Sequence, residues 1–239
     1  RAPELICSVL IFGVAVYTYH AARVIAPVLF AWLLIEHFLL QISFSKRELL
    51  GFFQKNGVIL LIITCIGTAI IAPFVLDLSN AQVSSRFSET NIFTNQELTL
   101  ASNQAKDLSG NTKLSWLLYH RFVFYFSEVA QTFLSHLSPN FLFVSGDANP
   151  RHSPQFIGHL YYLDLVFLLI GLFGFVTYGK KTDFFLGYWL IIALIPASIT
   201  QPTPHALRAL AAMPVFLLVI AKGLTLMESW LKKRGHFWQ

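Results

Sequence analysis

The sequence predicts an all-α integral membrane protein with about six transmembrane helices. Of its 239 residues, 55% are hydrophobic and only 12% are charged, whereas a soluble domain carries about 25% charged residues. The mean hydropathy of +0.61 is too high for a chain of this length to be buried inside one soluble core. Several apolar runs also approach the ~20 residues that a helix needs to cross a bilayer. These properties exclude a cytosolic enzyme, a disulfide scaffold and a nucleic-acid-binding domain.

Six apolar stretches are the candidate spans, and each is apolar on all sides, as expected of a helix that lipid surrounds. They are 5–17, 24–40, 57–76, 160–178, 184–199 and 207–227. The first stretch is short for a span, and the chain begins with Arg1 instead of Met. We therefore expect this chain to be the later part of a longer polypeptide. The expected organisation is three helices in 1–76, an extracytoplasmic segment in 77–159, and three helices with a basic tail in 160–239.

Lysine and arginine in the connections predict which side faces the cytoplasm. One set of alternate connections contains nine of these residues, all in short segments. The two short turns on the other side contain only Arg23 and Arg208. The lysine-rich side is therefore expected to be cytoplasmic, together with the C-terminus. The long segment 77–159 is then extracytoplasmic, outside a plasma (inner) membrane.

The long outer segment divides into two halves. Residues 78–112 are polar and predict an exposed loop in which short helices can form. Residues 113–137 bring apolar side chains together with Arg121 and Glu128. As a seventh span this half would place both charges in hydrocarbon, at about 2.5–3.5 kcal/mol for an arginine near the centre. An amphipathic helix lying in the membrane interface is the better prediction.

Four of the seven arginines and lysines on the outer side have a histidine close by in sequence. A planar guanidinium suits phosphate oxygens, and a neighbouring imidazole can donate or carry a proton. The predicted ligand is a phosphate or pyrophosphate, the group that lipid-linked sugars carry. The alternative is that each arginine extends to ordinary lipid headgroups. The four pairs are His20–Arg23, His120–Arg121, Arg151–His152 and His205–Arg208.

Arg208 is the strongest single candidate for binding an anion. Pro202 and Pro204 end the preceding helix, so that His205 to Arg208 would open the next one. Arg208 would then lie in the first turn of a helix, where the amide ends favour anions. The alternative is a plain connecting turn. Separately, Asp164 in the fourth candidate span is a candidate buried partner for an outer arginine.

A second polar cluster extends from residue 145 to residue 154. Gly146, Pro150 and Pro154 favour an ordered, non-helical path there. Asp147 in this segment could serve as a base or bind sugar hydroxyls. It could equally cap a turn through its own backbone.

Several of these segments resemble one family in the same order along the chain. The family comprises bacterial membrane glycosyltransferases related to dolichyl-phosphate-mannose–protein mannosyltransferases and lipid A aminoarabinose transferases, which have the C-type glycosyltransferase fold. The motifs that carry the resemblance are YTYHAAR at 17–23, LSPNFLF at 137–143 leading to GDANPRHS at 146–153, GHLY at 158–161, and PHALRA at 204–209.

The resemblance implies transfer of a sugar from a polyprenyl-phosphate donor to a lipid, glycan or protein acceptor on the outer face. The family's catalytic aspartate would lie upstream of Arg1, so no catalytic residue is assigned here, and the missing N-terminal part is an expected partner. The membrane lipid and the donor are the other expected partners, with no nucleic acid. The sequence leaves a divalent cation open as cofactor, and no zinc-type spacing is present. By the resemblance, the donor phosphate is expected to contact Arg23, Arg151, His152, His205 and Arg208, and the sugar or acceptor to contact His20 and Asp147.

Two other functions use the same features differently. A transporter or flippase could carry a polyprenyl phosphate or another anionic lipid on the same cations. Such a protein should have paired broken helices or a pseudo-repeat between its halves, and the sequence has neither. A non-catalytic membrane subunit that only holds partners is the third interpretation.

Overall fold

A computed structural model describes residues 2–19, 21–36, 46–77, 90–180 and 183–235. These residues form helices and turns, with one isolated β-bridge between Asn91 and Thr200. The predicted all-α class is confirmed for this part of the chain. The chain divides into two compact units, Arg1–Glu89 and Thr90–Gln239.

The described residues of the first unit form three apolar helices: α1 (Ala2–Thr18), α2 (Ala22–Leu34) and α3 (Lys46–Asp77). Helix α1 contacts both of the others. The Phe12 ring packs on Phe30 of α2 with centroids 5.4 Å apart, and the Tyr17 hydroxyl donates a 2.6 Å hydrogen bond to the Ile70 carbonyl of α3. Residues 37–40 of the second predicted span lie outside the described residues.

The second unit contains seven helices in the described residues, together with short 3-10 and π turns. The turns are Ile92–Thr94, Asn140–Val144 and Leu210–Ala212. The helices are α4 (Gln96–Leu108), α5 (Lys113–Leu118), α6 (Arg121–His136), α7 (Tyr162–Tyr178), α8 (Asp183–Ser198), α9 (Ala206–Ala209) and α10 (Met213–Gly235).

The single interfacial helix predicted near 113–137 is two helices. Helix α5 ends at Leu118, and α6 begins after His120, whose backbone is extended. The His120 Nδ1 accepts a hydrogen bond from the Phe122 N–H at 3.4 Å. The Tyr119 carbonyl accepts from the Ser102 hydroxyl of α4 at 2.6 Å instead of continuing a helical ladder. A side-chain cap and a tertiary hydrogen bond therefore break the predicted helix.

In the described residues, two helical stretches are long and apolar enough to cross a membrane, Gln54–Pro73 and Ala206–Lys233. Four shorter apolar helices accompany them: Glu4–Thr18, Ala22–Leu34, Tyr162–Tyr178 and Asp183–Ser198. Each of the six predicted spans overlaps one of these helices, and the number that crosses the membrane stays a prediction. Large apolar side chains point outward from several of them, with Val58 76% and Val176 86% exposed.

Helices α7 and α10 approach each other closely through glycines. A Cβ atom at Gly171 would overlap the Val219 carbonyl, and one at Gly223 would overlap the Phe167 carbonyl. Small residues allow two backbones to come this near. The buried core of the second unit extends from this pair to α8 and the π turn, and its members include Phe141, Leu194, Val215 and Phe216.

Candidate functional site

Backbone contacts close the loop 145–157 at its base. The Gly158 N–H donates to the Phe143 carbonyl at 3.2 Å, and the Leu160 N–H donates to the Leu142 carbonyl at 2.8 Å. A side chain at Gly158 would overlap the Leu142 backbone, so this pairing requires glycine. The loop is therefore anchored on the core through the π turn.

Asp147 is 4% exposed and lies where this loop meets the start of α9. Its Oδ1 accepts from the Asn149 N–H at 2.8 Å, which is the turn cap that the sequence left open. Its Oδ2 accepts from the Ala206 N–H at 2.8 Å, across 59 positions of sequence. The His152 Nδ1 lies 3.1 Å from the same Oδ2. One carboxylate thus joins two separate segments.

The hydrogen bonds decide the charge of Asp147. Burial alone raises the pKa of this carboxyl, but donors at Asn149, Ala206 and His152 together outweigh it. The net result is a pKa of Asp147 below its ordinary value. Asp147 is therefore an anion at neutral pH and a weak base.

His205 faces the same carboxylate without bonding to it. Its side chain is 14% exposed, and its Nδ1 lies 3.9 Å from Asp147 Oδ2. Within the described part of the chain, this buried nitrogen has no hydrogen-bond partner. Burial and the charge of Arg208 lower the pKa of His205, so its ring is neutral at pH 7.

The three side chains form one compact group. The His152 and His205 ring centroids are 4.7 Å apart. One ligand atom from each of Asp147, His152 and His205 lies within 4.8 Å of the other two. We call these three residues the Asp147 cluster.

His136, at the end of α6, supports the cluster and was missed by the sequence analysis. Its ring is 1% exposed and lies between a Thr132 carbonyl, 2.7 Å from Nδ1, and the His205 N–H, 3.1 Å from Nε2. A carbonyl only accepts and an N–H only donates, so Nδ1 carries the proton and Nε2 does not. Burial lowers the pKa of His136, which agrees with a neutral ring. Only its position in the last turn of an amphipathic helix could have indicated it.

Arg208 stabilises the proline turn. A one-turn helix begins at Ala206, one residue after the predicted start at His205, and Arg208 lies in it. The 3-10 turn Leu210–Ala212 separates this helix from α10, with which it was expected to be continuous. The Nη1 group donates to the Thr200 carbonyl at 3.1 Å and the Pro202 carbonyl at 3.3 Å. Arg208 is near enough to His136 and His205 for its charge to lower the pKa of both rings. Its role as a phosphate ligand stays a prediction.

The other predicted residues are distributed more widely. Arg151 is exposed next to His152, and its N–H donates to Asn149 Oδ1 at 3.0 Å. Arg23 belongs to α2 in the first unit, and His20 lies outside the described residues. The expected pairing of Asp164 with an arginine is replaced by a helix cap, since its Oδ2 accepts from the Tyr161 N–H at 2.9 Å.

His159 is a half-buried imidazole beside the loop. Its ring packs edge-on against Phe141, with centroids 4.6 Å apart. Its Nε2 is buried and has no hydrogen-bond partner in the part of the chain that the structure describes. Burial lowers the pKa of His159, although the charge of Asp147 opposes this effect.

In comparisons with known proteins, no family model, curated protein or solved structure matches this chain. The site offers one carboxylate, imidazoles and an arginine within a small volume. A carboxylate with imidazoles can hold a cation, and an arginine with imidazoles can hold an anion.

Proposed function

We propose that this chain functions in a C-type membrane glycosyltransferase, which moves a sugar from a polyprenyl-phosphate donor to a lipid, glycan or protein acceptor. The Asp147 cluster carries the proposal. It unites two of the motifs behind the resemblance, at 146–153 and 204–209. The motif at 158–161 closes the base of the same loop against the one at 137–143. A shared site is a reason for motifs so far apart in sequence to fold together.

The proposed membrane arrangement has six spans with the cluster at the outer face of the plasma membrane. Asp147 and His205 lie at the start of α9, and the loop that carries Asp147 is closed at Gly158 and Leu160, just before α7 begins. His136, which binds the His205 backbone, also bonds to Thr132, whose hydroxyl donates to Ser198 at the end of α8. Lys180 follows the opposite end of α7, and Lys232 lies near the opposite end of α10. This distribution of lysines supports a cytoplasmic location for those opposite ends.

The chemistry proposed for the site is stabilisation of a leaving phosphate. As the bond from sugar to phosphate breaks, negative charge grows on the lipid phosphate, and positioned cations and donors lower the barrier. Arg208, Arg151, His152 and His205 would supply these groups. Asp147 is assigned a positioning role, because its hydrogen-bonded, ionised carboxylate is too weak a base to activate a hydroxyl.

The test is sugar transfer by the intact protein in membrane vesicles, with radiolabelled polyprenyl-phosphate hexoses as donors. We expect Arg208→Ala to reduce transfer at least about 100-fold, as when one preorganised donor to a developing anion is lost. The protein level in the membrane should be unchanged.

Arg121→Ala is the matched control. Arg121 belongs to the predicted His120–Arg121 pair, but it is exposed at the start of α6, where it lies over the Phe122 ring at 5.5 Å. It is not one of the residues proposed to contact the phosphate. The variant should transfer sugar like the wild type. Thermal unfolding of Arg208→Ala separates a lost ligand from a collapsed turn, since Arg208 also binds turn carbonyls. Wild-type transfer by Arg208→Ala, or an equal loss in Arg121→Ala, would remove Arg208 from the site.

A further inference from the structure

The Asp147 cluster has the composition and spacing of a metal site. The His152 and His205 Nδ1 atoms lie 3.1 and 3.9 Å from the same Asp147 oxygen. Ligands bound tetrahedrally to Zn²⁺ at about 2.0–2.2 Å would be about 3.4 Å apart. The observed separations lie on either side of this value. We propose that Asp147, His152 and His205 bind one divalent transition-metal ion, with Zn²⁺ the expected ion.

The unpaired nitrogen of His205 is an independent reason for this proposal. Its Nδ1 is buried and lies beyond hydrogen-bond distance of Asp147 Oδ2, at 3.9 Å. Buried polar atoms are almost always paired with protein, water or an ion. An ion bound between the ring nitrogen and the carboxylate oxygen would give the His205 nitrogen a partner.

The ligands are held in place by the surrounding protein. Asp147 is fixed by the Asn149 and Ala206 N–H groups, and its carbonyl accepts from Gln155 Nε2 at 2.6 Å. The backbone of His205 is fixed by His136. Such outer contacts orient the ligands of a metal site and raise its affinity.

The donor set favours zinc over the hard cations. Magnesium and calcium prefer oxygen ligands throughout, whereas two imidazoles and one carboxylate suit Zn²⁺. Three protein ligands leave a fourth position open, as in catalytic zinc sites. His152 would bind through Nδ1 with its proton on Nε2. If the proposed function holds, the open position would accept a donor phosphate oxygen, but the metal site itself rests only on the geometry.

The experiment measures Zn²⁺ binding to the intact, detergent-purified protein, made without a polyhistidine tag and stripped with a chelator. After titration and gel filtration, mass spectrometry of the metal should give one Zn²⁺ per chain. Co²⁺ in its place should give the visible absorption of a four-coordinate site. Asp147→Asn and His205→Gln should each weaken Zn²⁺ binding at least tenfold.

His120→Gln is the matched control, since His120 caps α6 outside the cluster, and it should bind Zn²⁺ like the wild type. Circular dichroism checks that each variant is folded. If Asp147→Asn unfolds, His152→Gln at the partly exposed edge of the cluster carries the test. A wild type without stoichiometric Zn²⁺, or folded cluster variants that bind like the wild type, would overturn the proposal.

Sugar transfer measured on the same samples separates the two proposals. Stoichiometric Zn²⁺ without transfer supports the metal site and counts against the glycosyltransferase. Transfer by a protein that binds no Zn²⁺ supports the enzyme and overturns the metal site.

Discussion

Asp147 connects the loop 145–157 to the start of α9 through a short side chain with two occupied oxygens. Its Oδ1 reaches the Asn149 N–H only two residues ahead, which an aspartate allows and a longer glutamate would not. Its Oδ2 meets the Ala206 N–H and the His152 ring. Asparagine would keep one oxygen but face one of these donors with an NH₂ group. The position therefore requires a carboxylate at this length.

Gly146, immediately before Asp147, lies at a position in the loop where an added side chain should be unfavourable. Its φ is +74°, and a Cβ atom there would overlap the Ser153 hydroxyl. We expect Gly146→Ala to lower the free energy of unfolding by about 1–2 kcal/mol for the left-handed backbone. The overlap adds about 1–3 kcal/mol. Chemical denaturation in detergent measures this loss.

Gly110→Ala is the matched control for Gly146→Ala. Gly110 has a φ of +76°, but an added Cβ atom would meet nothing within 4 Å. The Gly110→Ala variant should therefore lose only the part of the unfolding free energy that comes from the left-handed backbone. Equal losses at the two glycines would mean that the contact with Ser153 does not constrain the loop.

At the scale of elements, the pair α7 and α10 depends on close backbone contact. In lipid, the hydrophobic effect contributes little to the association of two apolar helices, so close packing at small residues has to stabilise the pair. Lys222 of α10 adds a 3.3 Å ion pair to Asp183, at the start of α8. The same ammonium lies over the Phe175 ring of α7 at 4.6 Å. The Lys222 ammonium on α10 therefore contacts both α7 and α8.

Gly223→Ala tests the close approach directly. Its methyl group would overlap the Phe167 carbonyl, so the helices must separate, and we expect a loss of about 1–3 kcal/mol in the free energy of unfolding. Gly187→Ala on α8 would place its Cβ atom where nothing lies within 4 Å and should gain up to about 1 kcal/mol from helix propensity. Thermal unfolding of both variants checks the difference, and a tolerated alanine at Gly223 would contradict the packing.

The helices could be predicted from sequence wherever an apolar run was long. The break between α5 and α6 could not, because no proline or glycine marks it. It depends on the Ser102 hydroxyl, which reaches Tyr119 only in the folded protein. Tertiary contacts of this kind leave no local signal.

The site was partly predictable for a similar reason. Asp147, His152, His205 and Arg208 stand in conspicuous polar segments, so the sequence identified them. Their grouping could not be inferred from spacing, since the Asp147–Ala206 contact joins residues 59 positions apart. His136 lies in a helix without a motif, and only the fold brings it to the His205 backbone.

At the scale of the whole molecule, polar chemistry is concentrated in a few places on an apolar chain. Within the part of the chain that the structure describes, two helices are long and apolar enough to cross a membrane, and apolar side chains such as Leu61 and Phe173 are well exposed. Such surfaces suit lipid contact. In the second unit, Asp147 on its loop and His205 before α9 instead lie close to His136 at the end of α6. The apolar surface would suit the lipid chain of a lipid-linked substrate, and the polar cluster would suit its anionic headgroup.

The most direct measurement locates the bound headgroup. A polyprenyl phosphate with a photoreactive diazirine next to the phosphate is crosslinked to the intact protein in membranes, and the labelled peptides are sequenced by mass spectrometry. We predict label in 145–159 and in 200–208, removed by excess polyprenyl phosphate and by Arg208→Ala but retained in Arg121→Ala. Label confined to other segments, such as 96–108, would contradict the assignment of the donor site to the Asp147 cluster.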